Sequence, residues 1–319
     1  MNPLCSRRSK LKIVYLGTAA IGIPLLRRCD SLWEVTGIIT APDRPMGRGK
    51  RLKPTPVKEA GLELGIEVYQ PSDVNSHESI QWCRERNPEA FVLFAYGQIL
   101  TNTLLGIPRW ALNVHPSLLP RYRGAAPIQR AIMAGENETG ISIIQMEPRV
   151  DAGGILAQEP LPIDPEDTYG DLAEHVSRAA PYLVEKALTG LKDRSLIPRP
   201  QPEQGITSAP RIRKEERIIT WEEPVTSIHN RIRALSPTPL AYTWFRHKRL
   251  EIVRSQIADL EGSGKPGTLV SESGMLMVQC GVGFLEVLIL KPEGKKEMDS
   301  QAFVNGYRPS ENDILGYKH

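Results

Sequence analysis

From Leu11 to Leu191 the chain alternates short apolar runs with segments of helical period. The runs are Leu11 to Leu16, Val35 to Thr40, Phe91 to Phe94, Ala111 to Val114 and Gly140 to Met146. Helical patterns stand between or after them at about Thr55 to Leu64, Glu78 to Glu85 and Ala125 to Met133, and a long one covers Tyr169 to Leu191. Apolar runs with no polar face, separated by helices, imply a mainly parallel sheet covered on both sides. The stretch after Arg194 carries Pro198, Pro200, Pro202 and Pro210 with little apolar periodicity and reads as a linker. Beyond it lie short β-rich runs at Arg217 to Trp221, Ala241 to Phe245, Leu250 to Arg254, Thr268 to Val270, Met275 to Gln279 and Phe284 to Leu290, punctuated by Gly and Pro. A chain of 319 residues is long for one average domain and comfortable for two. The expected fold is α/β: a Rossmann-like domain with a mainly parallel sheet over 1–193, a linker over 194–210, and a smaller OB-like β-barrel over 211–319.

Charged residues at 24% and hydrophobic ones at 40% fit a globular protein. No apolar run approaches the roughly 20 residues that span a bilayer, so no membrane association is expected. Cys5, Cys29, Cys83 and Cys280 form no C-x-x-C pair and have no histidines at metal-ligand spacing, so no metal is expected. The basic start, Met1 to Lys12, lacks the apolar region of a signal peptide, and a cytoplasmic location is the expectation. The turn Gly17 to Gly22 is neither G-x-G-x-x-G nor a phosphate-cradling loop, which leaves dinucleotide binding weakly supported. Net charge is only +3, but Arg44 to Lys58 holds six Lys/Arg and no acid, and Arg211 to Arg254 holds ten against five Glu. Each could meet phosphates, although a single basic run is more often a solvated face.

Ala111 to Val114 reads as a strand, and alternation places Asn113 and His115 on one face at its C-terminal end, where ligands sit in open α/β sheets. Asp151 follows in Val150-Asp151-Ala152-Gly153-Gly154. Singly, each has an ordinary role: Asn and Asp start turns, and a histidine at a strand end is usually solvated. Together they are a hydrogen-bond donor, a titratable ring and a carboxylate, a set suited to acyl transfer.

The words around them are more specific. Asn113-x-His115, then Ser117-Leu118-Leu119-Pro120-Arg121-Tyr122-Arg123-Gly124-Ala125-Ala126-Pro127-Ile128-Gln129-Arg130, with Asp151-x-Gly153 further on, resembles the folate-dependent formyltransferases. Pro42-Asp43-Arg44-Pro45-Met46-Gly47-Arg48-Gly49-Lys50 resembles the tRNA-directed branch, and Ala95-Tyr96-Gly97-Gln98-Ile99-Leu100 is a further dense match. The resemblance implies transfer of a formyl group from 10-formyltetrahydrofolate, without a metal, to the free α-amine of methionine on initiator tRNA, by a monomer. It implies Asn113, His115 and Asp151 as the catalytic set, with Asp151 as base and orienter of His115. It also implies a folate pocket lined by Ser117, Leu118, Leu119 and Pro120, with a pterin-side wall from Phe94 to Leu100 that includes Tyr96 and Gly97. Arg44, Arg48, Lys50 and Arg51 stand in the insertion that resembles the family's loop for entering the tRNA acceptor stem. Thr18-Ala19-Ala20-Ile21 departs from the family's first turn, and Arg149 and Ala152 replace a usual Gly and Thr beside Asp151. Arg-Val-Asp-Ala-Gly leans toward relatives that formylate a nucleotide-linked amino sugar, the second enzymatic reading. A third reading, from another class, is a non-catalytic regulator that binds folate and RNA.

Overall fold

The structure, a computed structural model, describes residues 10–46, 51–260, 262, 264–272, 274–310 and 312–316. It contains two compact units, one drawn from Met1–Ala125, Gly140–Pro160 and Glu174–Ser208, the other from Ala126–Thr139, Leu161–Ala173 and Ala209–His319. Among the described residues no helix is long and apolar enough to cross a membrane.

The first half of the chain runs β1 (Lys12–Gly17), α1 (Ile23–Leu32), β2 (Glu34–Ile39), β3 (Arg44–Met46), β4 (Arg51–Lys53), α2 (Pro56–Glu63), β5 (Val68–Tyr69), α3 (His77–Glu85), β6 (Ala90–Phe94), α4 (Asn102–Leu105) and β7 (Trp110–His115). Then come α5 (Pro127–Met133), β8 (Glu138–Gln145), β9 (Ile155–Pro162) and α6 (Tyr169–Asp193). A seven-stranded sheet has the order β5-β2-β1-β6-β7-β8-β9. Its pairs from β5 to β7 are parallel, whereas β8 lies antiparallel to β7. Every residue of β6 is buried, as the unbroken apolar run requires of a strand covered on both faces. β9 is absent from the sequence expectations because Pro160 and Pro162 weaken its strand pattern. It is tolerated because β9 is an edge strand, where a proline costs no ladder bond.

The Gly turn after β1 has a packing cause. The Tyr15 ring is buried and its hydroxyl donates to the Gly22 carbonyl at 2.8 Å. A Cβ on Gly17 would lie 2.7 Å from Tyr15 Cε1, and one on Gly22 2.4 Å from the Tyr15 oxygen. These two glycines make room for an aromatic ring.

The second unit carries a six-stranded antiparallel sheet built from β10 (Ala241–Phe245), β11 (Lys248–Ala258), β12 (Leu269–Glu272), β13 (Met275–Gln279), β14 (Phe284–Pro292) and β15 (Met298–Asp299). β15 adds to β14 beside the path β10-β11-β14-β13-β12. Two helices, numbered in chain order as α7 (Val225–Leu235) and α8 (Ser300–Tyr307), cover its core. Both lie where only strands were expected. Val225, Ile228, Ile232 and Leu235 repeat at helical spacing and are buried, and the Asp299 side chain caps α8 by accepting from the Ala302 N–H at 2.7 Å. The strand expected at Arg217 to Trp221 is instead a single turn, Glu215–Arg217, followed by an isolated bridge between Ile218 and Tyr242. Arg130 and Arg213 hold the Glu216 carboxylate and set that turn.

Gly22→Ala should destabilise the protein by about 1–3 kcal/mol, because the new methyl overlaps a packed phenol. Denaturant unfolding monitored by circular dichroism checks this.

Candidate active site

His115 ends β7 at 3% exposure, with Asn113 two residues before it on the same side of the strand. His115 Nε2 lies 2.8 Å from the Tyr122 carbonyl oxygen. A carbonyl only accepts, so Nε2 carries the proton. In the neutral ring the free lone pair is therefore on Nδ1, and Nδ1 lies 3.5 Å from Asp151 Oδ2. Burial holds the ring's pKa below its usual value. The Asp151 charge and the Tyr122 carbonyl oppose that shift, while Arg123 adds to it.

Asp151 stands in the loop between β8 and β9 with φ +50, a left-handed conformation that Asp adopts more readily than most residues. Its Oδ1 accepts a long bond from Asn113 Nδ2 at 3.4 Å, and its Oδ2 accepts the Gly124 N–H at 2.9 Å. Gly153 permits the loop to close: a Cβ there would lie 1.9 Å from the Gln145 carbonyl oxygen. The three expected catalytic side chains thus converge beyond the C-terminal end of β7, the crevice in which α/β sheets bind ligands.

The turn after β7 is held from beneath. Ser142, fully buried on β8, accepts the Leu119 N–H at 3.1 Å and donates to the Ser117 carbonyl at 2.6 Å. Gln158 donates to Ser142 Oγ and to the Leu119 carbonyl, both at 2.9 Å. Ser117 donates to the Arg121 carbonyl, and Leu119 packs with Ile144 and Ile155. Leu118 and Pro120 are half-buried.

Along the expected pterin-side wall, Phe94 and Tyr96 are buried, Tyr96 among Val74, Cys83 and Leu100, while Ala95 and Gly97 are exposed. Positive φ at Ala95 (+51) and Gly97 (+95) produces this alternation. Any recognition there falls to backbone groups more than to the two aromatic rings.

In the basic insertion, β3 and β4 form a hairpin with Arg44 opposite Lys53 and Met46 opposite Arg51. Arg44 is exposed. Arg48 and Lys50 lie outside the described residues. Lys58, counted among the basic groups, is paired with Asp43 at 2.7 Å. In the second unit Arg217, Arg231, Arg246 and Arg249 pair with Glu251, Glu223, Asp313 and Glu251, and Arg233 donates to the Asp164 and Asp167 carbonyls. Exposed cations of the Arg211 to Arg254 run include Arg213, Lys214, Lys248 and Arg254.

Sequence reasoning missed the Tyr122 carbonyl and Gly124 N–H because backbone groups leave no mark in a sequence. It also missed Ser142, Gln158 and Gln201. The last lies in the stretch expected as a linker, where Arg199 exchanges two backbone bonds with Ile155 and Thr207 accepts from the Tyr122 and Arg123 N–H groups. Among the described residues no group of three or more His, Cys, Asp or Glu is placed to hold a metal ion.

Family comparisons follow the same two parts of the chain. The formyl transferase model matches residues 11–188 and the formyl transferase C-terminal domain model residues 211–308. Methionyl-tRNA formyltransferase of Moorella thermoacetica is 42% identical over 311 residues, covering 96% of this chain and 99% of the relative. Among solved structures, methionyl-tRNA formyltransferase from Clostridium thermocellum superimposes with a TM-score of 0.56 at 17% identity, over 87% of this chain and 99% of that one. The sugar 3N-formyl transferase WlaRD, solved in the presence of dTDP and 5-N-formyl-THF, gives 0.64 at 18% identity, over 90% of this chain and 99% of that one. At such identities the structures establish the shared fold and do not discriminate between acceptors. Matched in both parts, and along nearly its whole length by a close relative, the chain belongs to the formyl transferase family.

Proposed function

We propose that the protein transfers the formyl group of 10-formyltetrahydrofolate to the α-amine of methionine carried by initiator tRNA. The observation that carries the reading is the convergence of Asn113, His115 and Asp151 at the end of β7 in a chain 42% identical to a methionyl-tRNA formyltransferase. One chain supplies all three groups, so the site needs no residue from a second copy, which is in keeping with a monomer as the working unit. The chemistry belongs to 1–193, with 194–210 connecting it to a tRNA-binding domain over 211–319.

The reaction forms a bond between the amine nitrogen and the formyl carbon and breaks the bond from that carbon to N10 of the folate. Negative charge develops on the formyl oxygen, and Asn113 Nδ2 is the donor for it. Nδ2 has two protons, and its 3.4 Å bond to Asp151 uses one of them weakly. The attacking amine must lose a proton as it becomes an amide. With Nε2 committed to Tyr122, His115 has only Nδ1 to offer, and burial keeps that nitrogen unprotonated at neutral pH. The amine proton passes to the His115–Asp151 pair at Nδ1, and the Asp151 carboxylate 3.5 Å away makes that nitrogen a stronger base and stabilises the imidazolium. It then leaves on N10 of tetrahydrofolate. Ser117, Leu118, Leu119 and Pro120 line the folate pocket, with Phe94, Tyr96 and Gly97 on the pterin side presenting mainly backbone groups. Arg44, Arg48, Lys50 and Arg51 meet phosphates of the acceptor stem, where charge supplies affinity.

Purified protein should formylate initiator methionyl-tRNA from 10-formyltetrahydrofolate. Asn113→Ala and Asp151→Asn should each lower kcat by roughly 10²–10³. Transfer to a nucleotide-linked amino sugar but not to the tRNA would overturn the acceptor, and tight folate binding without turnover would overturn the chemistry.

The kcat–pH profile tests the proton path. Activity should fall on the acid side as Nδ1 becomes protonated, with an ionisation below the usual histidine value of 6.5. Because the Asp151 charge raises the pKa of His115, Asp151→Asn should move that limb to lower pH. A limb that stays in place in this variant would sink the coupling.

Arg44→Ala with Lys50→Ala should raise KM for the tRNA, leave folate binding unchanged, and flatten the log–log salt dependence by about 1 for each phosphate that is no longer neutralised. Equal tRNA KM values in variant and wild type would remove the insertion from the interface.

A further inference from the structure

The Gln201 carboxamide touches both halves of the catalytic site. Its Nε2 donates to the Asp151 carbonyl at 2.7 Å and to the Gly153 carbonyl at 2.8 Å. Its Oε1 accepts from Arg123 Nε at 3.1 Å and Nη2 at 2.6 Å. Both donors face the Asp151 loop and the acceptor faces the turn after β7. A carboxylate of the same shape would set an oxygen against two carbonyl oxygens, so only the amide satisfies both sides.

What the carboxamide joins is functionally paired. Arg123 lies between Tyr122, whose carbonyl fixes the His115 tautomer, and Gly124, whose N–H holds Asp151 Oδ2. Tyr122, Gly124 and Asp151 all have positive φ, at +60, +127 and +50. Non-glycine residues in that region persist only where the surroundings over-determine them. The backbone on either side of Gln201 is anchored as well, through the Arg199–Ile155 pair and the bonds of Thr207 to Tyr122 and Arg123.

We propose that Gln201 is a positioning residue for formyl transfer, its carboxamide setting the Asp151 carboxylate against His115 by tying the Asp151 loop to Arg123. The inference rests on the assignment of His115 and Asp151 to proton transfer. Gln201 itself touches no reacting atom. A displacement of the carboxylate by an ångström is enough to matter, since misplacement on that scale costs up to about 100-fold in rate. The stretch that joins the two family-matched parts of the chain is then a working part of the site.

The test uses full-length wild type, Gln201→Ala and Gln201→Glu, each assayed for kcat, KM for methionyl-tRNA, the kcat–pH profile and thermal unfolding. Both variants should lose about 10- to 100-fold in kcat with little change in KM. In Gln201→Ala the acid limb should move to lower pH, as in Asp151→Asn, because the charge that raises the His115 pKa is no longer held beside it. Arg123 is the cation that acts on His115, with Arg149 acting in turn on Arg123, and neither is substituted in the variants. Wild-type kcat in Gln201→Glu would overturn the proposal, since an acceptor for Arg123 would then suffice. A lower melting temperature with an unmoved acid limb would overturn it too, leaving only a contribution to folding. Should Gln201→Ala fail to fold, Gln201→Glu carries the test, its kcat deciding in the same way. A wild-type protein without formyl transfer would overturn the catalytic reading beneath the inference, and the inference with it.

Discussion

The bond from His115 Nε2 to the Tyr122 carbonyl is the constraint on which the site depends. A buried imidazole can present either nitrogen, and which one bears the proton decides whether it donates or accepts. Here a backbone carbonyl makes the choice. The nitrogen left over faces the carboxylate, and the low polarity that lowers the ring's pKa also strengthens its interaction with Asp151. Burial and the carboxylate therefore pull the ring's pKa in opposite directions, and burial, the larger effect, holds it below the usual histidine value.

Such a balance tolerates little movement, and the chain limits movement by directing polar side chains at the backbone of turns. Ser142 and Gln158 secure the turn after β7 by satisfying the Leu119 N–H and the Ser117 and Leu119 carbonyls. Leaving one such buried group unpaired costs about 1–3 kcal/mol, so the turn has few alternatives of similar energy. Across the crevice, Gly153 allows the Asp151 loop to close on the Gln145 carbonyl at a distance no side chain would permit. The resulting left-handed backbone at Asp151 is unfavourable in isolation. It persists because the side chain accepts the Gly124 N–H while Gln201 binds the carbonyl of the same residue.

Much of this was legible in the sequence. The strands β1, β2, β6, β7 and β8 announced themselves as apolar runs, and strand alternation placed Asn113 and His115 together. Asp151 was grouped with them by its chemistry and supported by the family resemblance, since no periodicity connects it to them across 38 positions. The helices α7 and α8 were hidden for different reasons. In α7 the helical spacing of Val225, Ile228, Ile232 and Leu235 stands in a short polar-rich segment whose buried face also includes His229 and Arg233, and α8 is short and dominated by its aromatic contacts, with Phe303 and Tyr307 stacked at 4.6 Å. The stretch from Arg194 to Pro210 read as a linker because its prolines suppress both helix and strand patterns. Its contacts run through Arg199, Gln201 and Thr207, which carry no periodic signal. Polar residues whose partners are backbone groups are what pattern reasoning sees least well.

Under the proposed mechanism Asn113, His115 and Asp151 do not themselves choose an acceptor, because any neutral amine could attack a formyl group held between them. On that reading selection comes from surfaces around the crevice, and the β3–β4 insertion is the surface proposed for it. Its root is fixed: Asp43 accepts from Lys58 Nζ and Gln70 Nε2, each at 2.7 Å, and Gln70 also donates to the Ala41 carbonyl at 2.8 Å. These bonds hold the Asp43 carboxyl below the usual carboxylate range, with Gln70 the larger cause. Lys58 is occupied in that anchor and is not free for phosphate, whereas Arg44, one residue beyond Asp43, is exposed. The insertion therefore divides its charges between holding its own base and reaching outward. On the proposed reading, that division directs a shared formyl-transfer site to a tRNA without any change in the residues that perform the chemistry.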